Sequence, residues 1–240
     1  MAAPIVSWYE TENSIVNEVT GLVQYGTVDA DTDSGQKTFY IWNNRDSVNN
    51  VSKMEEVTFT TRDRLGGTGD TSGNIVEAVR DDWFQVRVDS LDEITFTPVG
   101  KSALKSVGTI GSTTNPNAST ASTWVQSVGY TQDEYVKPTV ENGFVYKVTI
   151  AGTSGGTEPV WSTTDGGVVT DGTVEYTTIQ ITRTPATQEI LGVENTVLDD
   201  GTDAVNSGGN FVELTVFAEV PVSATAGKNK LLQRISFRYV

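Results

Sequence analysis

Apolar and polar side chains alternate with a period of two along several segments, which is the pattern of half-buried β-strands. The clearest segments are 38–42, 57–62, 84–89, 211–220 and 232–239. In the third of these, Phe84, Val86 and Val88 are apolar, and the residues between them are polar. No stretch places apolar residues at helical spacing beyond a turn or two. The pattern predicts an all-β protein of the sandwich type.

The composition supports the same fold class. Val and Thr are abundant, and their β-branched side chains favour the pleated surface of a sheet. The 23 glycines supply the turns that many short strands need. With 240 residues, the chain can form one large or two small domains.

The middle of the chain differs from both ends. Residues 108–123 are small and almost uncharged, as in a linker, and aromatic residues are then dense from Trp124 to Tyr176. Strand patterning resumes after Arg183. We therefore predict a discontinuous main domain, a linker and an inserted module, with the bounds 1–107 plus 183–240, 108–123 and 124–182. Two tandem sandwiches without an insertion are the alternative.

The two ends of the proposed main domain carry further patterns. Segment 211–220 is followed by Pro221, a run of small residues ending at Gly227, and segment 232–239, which together predict a closing hairpin. Near the start, segment 25–28 precedes the aromatic segment 39–44. This order resembles the opening and closing strands of immunoglobulin-like surface domains. The resemblance implies an immunoglobulin-like β-sandwich with a small inserted β-module.

The aromatic module carries a series of short motifs in a fixed order. They are Trp124, Gly129-Tyr130, Val136-Lys137-Pro138, Asn142-Gly143-Phe144-Val145-Tyr146, Gly152-Thr153-Ser154-Gly155, Glu158-Pro159-Val160-Trp161 and Asp171-Gly172 before Tyr176. The series resembles a small carbohydrate-binding-type module of phage virion proteins and, more distantly, chitin-binding modules of secreted hydrolases. That family often ends in Trp where this chain has Tyr176.

The resemblance implies a sugar-binding platform, because flat aromatic rings match the apolar faces of sugar rings. The candidate carbohydrate-binding residues are Trp124, Tyr130, Tyr135, Tyr146, Trp161 and Tyr176. A module this small also needs aromatic residues for its core, and Trp124 and Trp161 are the first candidates for that role. We expect Tyr130 and Tyr135 to be the more exposed.

The net charge and the absence of two residue types exclude several classes of function. The net charge is −15, which disfavours binding to nucleic acid or to an anionic membrane. The sequence contains no Cys and no His, so disulfides, thiolate sites and histidine-dependent catalysis are excluded. We expect a protein that is not an enzyme and that has no cofactor.

Several acidic motifs raise two further possibilities, a calcium site and a pair of catalytic carboxylates. Asp29, Asp31 and Asp33 have the spacing of a calcium loop, although a solvated turn explains them more simply. The acidic segment 199–203 is interpreted in the same way. The pairs Asp81-Asp82 and Asp92-Glu93 would serve a glycosidase only if two carboxylates shared one cleft, so surface charge is the preferred interpretation. We expect no metal site.

These features together favour a bacteriophage virion surface protein, most of all a capsid decoration protein that reinforces the particle and adheres weakly to glycans. A tail or baseplate protein in host adhesion, a purely structural tail protein, and a secreted polysaccharide-acting enzyme or its accessory module are the alternatives. The expected partners are major capsid or baseplate proteins, further copies of the chain in an oligomer or lattice, and host or environmental glycans. The N-terminal residues show no signal peptide, so we expect synthesis in the host cytoplasm and a location on the virion surface.

Overall fold

A computed structural model of the protein describes residues 1–195 and 206–239. Strands and short turns make up the described chain, and its helical segments are no longer than a turn. The all-β prediction is confirmed. The acidic segment 199–203 lies outside the described residues.

Between the strands lie short helical segments of a single turn. The strands are β1 (Val6–Glu10), β2 (Thr32–Asp33), β3 (Lys37–Asn43), β4 (Glu55–Asp63), β5 (Asp70–Thr71), β6 (Asn74–Ile75), β7 (Phe84–Val88), β8 (Thr97–Val99), β9 (Lys105–Ser106), β10 (Thr113–Thr114), β11 (Ser122–Thr123), β12 (Gly129–Tyr130), β13 (Tyr135–Lys137), β14 (Phe144–Ile150), β15 (Gly152–Thr153), β16 (Val168–Asp171), β17 (Val174–Gln180), β18 (Thr182–Arg183), β19 (Phe211–Val220) and β20 (Leu231–Arg238). The helical segments are α1 (Glu77–Arg80) and the 3₁₀ turns Ile15–Asn17, Asp89–Leu91 and Pro116–Ala118.

The chain divides into two compact units. Met1–Thr113 and Thr184–Val240 form the first, which we call the sandwich unit. Thr114–Arg183 forms the second, the inserted unit. Short strands β10 and β18, at the two ends of the insertion, pair with each other.

Two main sheets form the layers of the sandwich unit, which also contains the short β5–β6 pair. The larger has the order β1-β3-β19-β7-β8, with β2 also paired to β19, and the smaller has the order β20-β4-β9. Strand β19 is central, because it is antiparallel to β3 along one edge and to β7 along the other. Strands from both ends of the sequence therefore complete one sheet.

A large apolar core joins the two sheets. Phe39, Val86 and Leu214 from the larger sheet pack with Val57 and Phe59 of β4. All five side chains are fully buried. In β7 the side chains alternate between buried and half-buried, as the sequence pattern predicts. Burial of large apolar side chains is the main driving force that holds such layers together.

The predicted hairpin of 211–220 with 232–239 is wrong. Strand β20 pairs with β4 in the smaller sheet, whereas β19 lies in the larger one. The physical reason is that both edges of β19 are occupied by β3 and β7, which leaves no edge free for β20. The segment between these strands crosses from one layer to the other.

The inserted unit has its own sheet and core. Its sheet has the order β11-β13-β14-β17-β16, and β12 pairs separately with β15. The predicted linker 108–123 is not a separate segment. Thr113 is buried and donates a hydrogen bond to Asn210 Oδ1 at 2.8 Å, whereas Asn115 and strand β11 already belong to the inserted unit.

Candidate functional site

Four of the six predicted carbohydrate-binding residues lie in the core of the inserted unit. The exposed fractions are 9 % for Trp124, 8 % for Tyr130 and 0 % for Tyr146 and Tyr176. Together with four valines, these rings form one apolar cluster. Their burial removes them from any stacking surface, because a sugar ring needs an exposed aromatic face. This corrects the expectation that Tyr130 is exposed.

Hydrogen bonds to the buried Asp171 carboxylate explain two of the motifs. Trp124 Nε1 donates to Asp171 Oδ2 at 2.7 Å, and Gly155 N donates to Asp171 Oδ1 at 2.8 Å. Asp171 is itself 5 % exposed. A buried carboxylate needs such donors, so the Asp-Gly motif and the Gly-Thr-Ser-Gly motif serve the fold of the unit.

The buried tyrosines are held in a similar way. Tyr130 Oη accepts a hydrogen bond from Val125 N at 2.9 Å. Tyr146 Oη accepts from Asn142 Nδ2 and donates to Ser162 O, both at 2.7 Å. The motif series therefore describes the internal hydrogen bonds of this small unit.

Trp161 and Tyr135 are the two predicted residues that keep accessible ring surface, and both are half-buried. The Trp161 ring lies 4.3 Å from the Tyr146 ring and 5.4 Å from the Tyr176 ring, measured between centroids. The Lys147 ammonium lies 5.9 Å from the centroid of Tyr135. Trp161, expected to be mostly core, is thus one of the two rings available to a ligand.

Glu158 connects Trp161 to a neighbouring loop. Its Oε1 accepts hydrogen bonds from Trp161 Nε1 at 2.8 Å and from Thr139 N at 2.9 Å, and its Oε2 accepts from the Thr139 hydroxyl. Partial burial tends to raise the pKa of Glu158, but the bonds from Thr139 and Trp161 outweigh it and hold the pKa below its ordinary value. Glu158 therefore remains a charged acceptor that fixes both loops.

The hydrogen bonds of Glu158 connect two loops, and each of these loops carries an exposed valine. Val140 follows Thr139 and is 80 % exposed, and Val160 precedes Trp161 and is 96 % exposed. We call Val140, Val160 and Trp161 the Val140–Trp161 surface. Sequence reasoning missed both valines, although the Glu-Pro-x-Trp motif marks the segment that carries Val160. The surface offers apolar contact on loops that the Glu158 hydrogen bonds hold in place.

In the sandwich unit, two of the acidic motifs meet in one cavity of about 310 Å³. Its walls include Asp31, Asp33, Asp81 and Asp82, whereas Asp29 is not part of them. The Asp92-Glu93 pair is not part of this cavity. The Glu93 carboxylate forms a salt bridge with the Lys105 ammonium at 2.7 Å. In the described ranges 1–195 and 206–239, no group of three or more carboxylates lies close enough together to hold a metal ion.

The described part of the chain contains no helix with the length and apolarity needed to cross a membrane. Comparison with protein-family models, with curated proteins and with solved structures found no match to this chain.

Proposed function

We propose that the protein is a structural component of a bacteriophage virion surface, specifically a capsid decoration protein. In this proposal the sandwich unit is an immunoglobulin-like domain that docks on the major capsid protein. The inserted unit is the part that meets the surroundings. No catalytic step and no cofactor are involved.

The observation that carries the proposal is the division of the chain into two structural units. The sandwich unit is built from both ends of the sequence, and the inserted unit has a separate sheet and a separate core. Such an insertion lets one domain remain anchored while the other is presented. The net charge of −15 keeps many copies soluble at high local concentration, as a lattice requires.

The Val140–Trp161 surface is the proposed contact for glycans. A half-buried tryptophan whose N–H is bound to Glu158 loses little conformational freedom when a sugar ring packs on it. A single contact of this kind is weak, but many copies on one particle raise the overall affinity by avidity.

The location is tested by immunogold electron microscopy of phage particles from lysates of the source bacterium. Antibody raised against the full chain should label the heads uniformly. Label confined to the tail would replace decoration by the tail or baseplate alternative. Particles without label would refute the virion proposal.

Adhesion is tested by applying the full-length protein to an array of chitin-type and bacterial cell-surface oligosaccharides. We expect binding that falls at least fivefold in Val160→Ser. Val168→Ser is the matched control, because Val168 is also an exposed valine of the inserted unit, at 60 %. Absence of binding to every glycan, or equal loss in both variants, would refute the adhesive role.

A further inference from the structure

Strand β20 has one edge without a partner strand, because it lies at the end of the smaller sheet and pairs only with β4. In an antiparallel pair, the N–H and C=O groups of alternate residues point towards the partner strand, and the others point away from it. Among the described residues, no backbone group of β20 bonds to the backbone of a segment other than β4. The contact of the Gln233 amide with the Tyr25 hydroxyl involves side chains alone. The outer edge of Leu231–Arg238, which we call the β20 edge, therefore presents a row of backbone donors and acceptors.

The apolar side chains that β20 directs at the core are incompletely covered. Leu231, Ile235 and Phe237 pack on the core cluster, but each is only half-buried. The core-facing side chains of the central strand β19, such as Leu214 and Val216, are fully buried. A further strand along the β20 edge would remove more of this apolar surface from water, which is favourable.

The end of the chain that contains β20 is basic, although the chain as a whole has 31 acidic against 16 basic residues. No acidic residue follows Glu219, whereas four basic residues do, namely Lys228, Lys230, Arg234 and Arg238. All four side chains are exposed. They are separated by even numbers of positions, so an extended backbone directs them to one face.

Three of these four charges have no ion-pair partner in the protein. Arg238 bonds to Glu55 at 2.7 Å. Lys228, Lys230 and Arg234 form no salt bridge within the part of the chain that the structure describes. A surface of uncompensated positive charge attracts a ligand of opposite charge, so the β20 edge favours an acidic partner.

The backbone edge and the charge together select the chemical class of that partner. A polyanion without a peptide backbone would match the charge and leave the backbone groups of the edge unpaired. The same edge of a second copy would match the backbone, but its like charges would lie opposite each other, and basic residues on an edge strand commonly prevent such self-pairing. An extended peptide with acidic residues at every second position matches both features, because peptides add to exposed sheet edges by main-chain hydrogen bonds.

We propose that the β20 edge binds an extended acidic segment of a partner protein, which adds a fourth strand to the three-stranded smaller sheet. The segment places carboxylates on the face that carries Arg234 and apolar side chains on the face that carries Ile235 and Phe237. The site belongs to the sandwich unit, whereas the Val140–Trp161 surface belongs to the inserted unit, and it does not depend on the virion role.

Fluorescence anisotropy of a labelled peptide of four Glu-Val repeats, titrated with the full-length protein, tests the proposal. We expect binding that weakens as salt rises, because exposed ion pairs are screened. A block peptide, with the same composition but all Glu residues before all Val residues, should bind about tenfold more weakly, because it cannot separate carboxylates and apolar groups onto two faces. A depsipeptide with esters in place of the amides keeps every side chain but has no N–H donors, so it should also bind about tenfold more weakly.

Arg234→Glu should weaken binding of the alternating peptide about tenfold, because it replaces attraction between neighbouring strands by repulsion. Lys137→Glu is the matched control, because it makes the same charge reversal in the inserted unit, and circular dichroism checks that both variants fold. No binding of the alternating peptide, or equal loss in Lys137→Glu, would overturn the proposal. Equal affinity for the block peptide or the depsipeptide would overturn it in favour of a purely electrostatic surface. A dimer in sedimentation experiments that Arg234→Glu abolishes would assign the edge to a second copy instead.

Discussion

Asp171→Ala is the substitution that most directly tests whether the motif series of the inserted unit serves its fold. The carboxylate accepts from Trp124 Nε1 at 2.7 Å and from Gly155 N at 2.8 Å, and it is nearly inaccessible to water. Alanine leaves both donors without an acceptor. If the motif served ligand binding, the same change would leave the stability of the unit almost unchanged.

The expected loss in the free energy of unfolding follows from the burial of the two donors. A buried donor that loses its acceptor costs about 1–3 kcal/mol, and the Trp124 indole is the more buried of the two. Together the two losses amount to about 2–6 kcal/mol. Since about 1.4 kcal/mol corresponds to a factor of ten, this is roughly a 30- to 20,000-fold change in the opening equilibrium.

Hydrogen exchange measured by mass spectrometry gives the local readout, because it reports the opening of separate parts of a protein. Amides of β14 and β17 should exchange faster by the factor above, and those of β3 and β19 should not change. Glu141→Ala is the control, because the Glu141 side chain is 70 % exposed and its bond to Lys137 contributes at most about 1 kcal/mol. Acceleration below about fivefold in β14 and β17, or equal acceleration in all four strands, would refute the reasoning.

Three further predictions concern stability and titration. Gly172→Ala should destabilise the inserted unit by at least about 3 kcal/mol in urea unfolding, against about 1 kcal/mol for Gly143→Ala. Both glycines have positive φ, but only at Gly172 would a Cβ lie 2.3 Å from a backbone oxygen. Burial raises the pKa of Tyr40 from 10.0 to about 12, so its contribution to stability is complete below pH 10 and is lost as the pH rises towards 12. Tyr40→Phe should therefore weaken the pH dependence of alkaline unfolding followed by circular dichroism, and an unchanged profile would contradict this. The Lys101 ammonium beside Asp70 lowers the pKa of that carboxyl from 3.8 to about 2, so the contribution of Asp70 is present above pH 3.8 and is lost as the pH falls through 2. In a carbon-13 NMR titration, Lys101→Met should return this pKa towards 3.8, and a pKa that stayed near 2 would exclude the ion pair as the main cause.

The sequence predicted local features of the fold well and long-range ones poorly. Alternation in 84–88 correctly identified a strand with one buried face, because side-chain direction depends only on the period of two. The same alternation does not specify the partner strand. For that reason 211–220 and 232–239 were assigned to one hairpin, although they lie in different sheets.

The candidate site shows the same limit. An aromatic residue in a motif is identical in sequence whether its ring fills a core or faces water. Tyr130 and Trp161 differ in exposure because of the rings and hydrogen bonds around them, which come from distant positions. The meeting of Asp31 with Asp82 likewise requires the strand order, which no local pattern contains.

The central position of β19 has a consequence for synthesis. A ribosome completes 114–183 before it reaches 211–220, so the inserted unit has its full sequence while the larger sheet still lacks its middle strand. Until then, β3 and β7 have no strand between them, and their apolar side chains have no complete core to enter. A chain truncated after residue 183 and released from the ribosome should therefore keep the inserted unit protected from protease and leave the N-terminal segment cleavable.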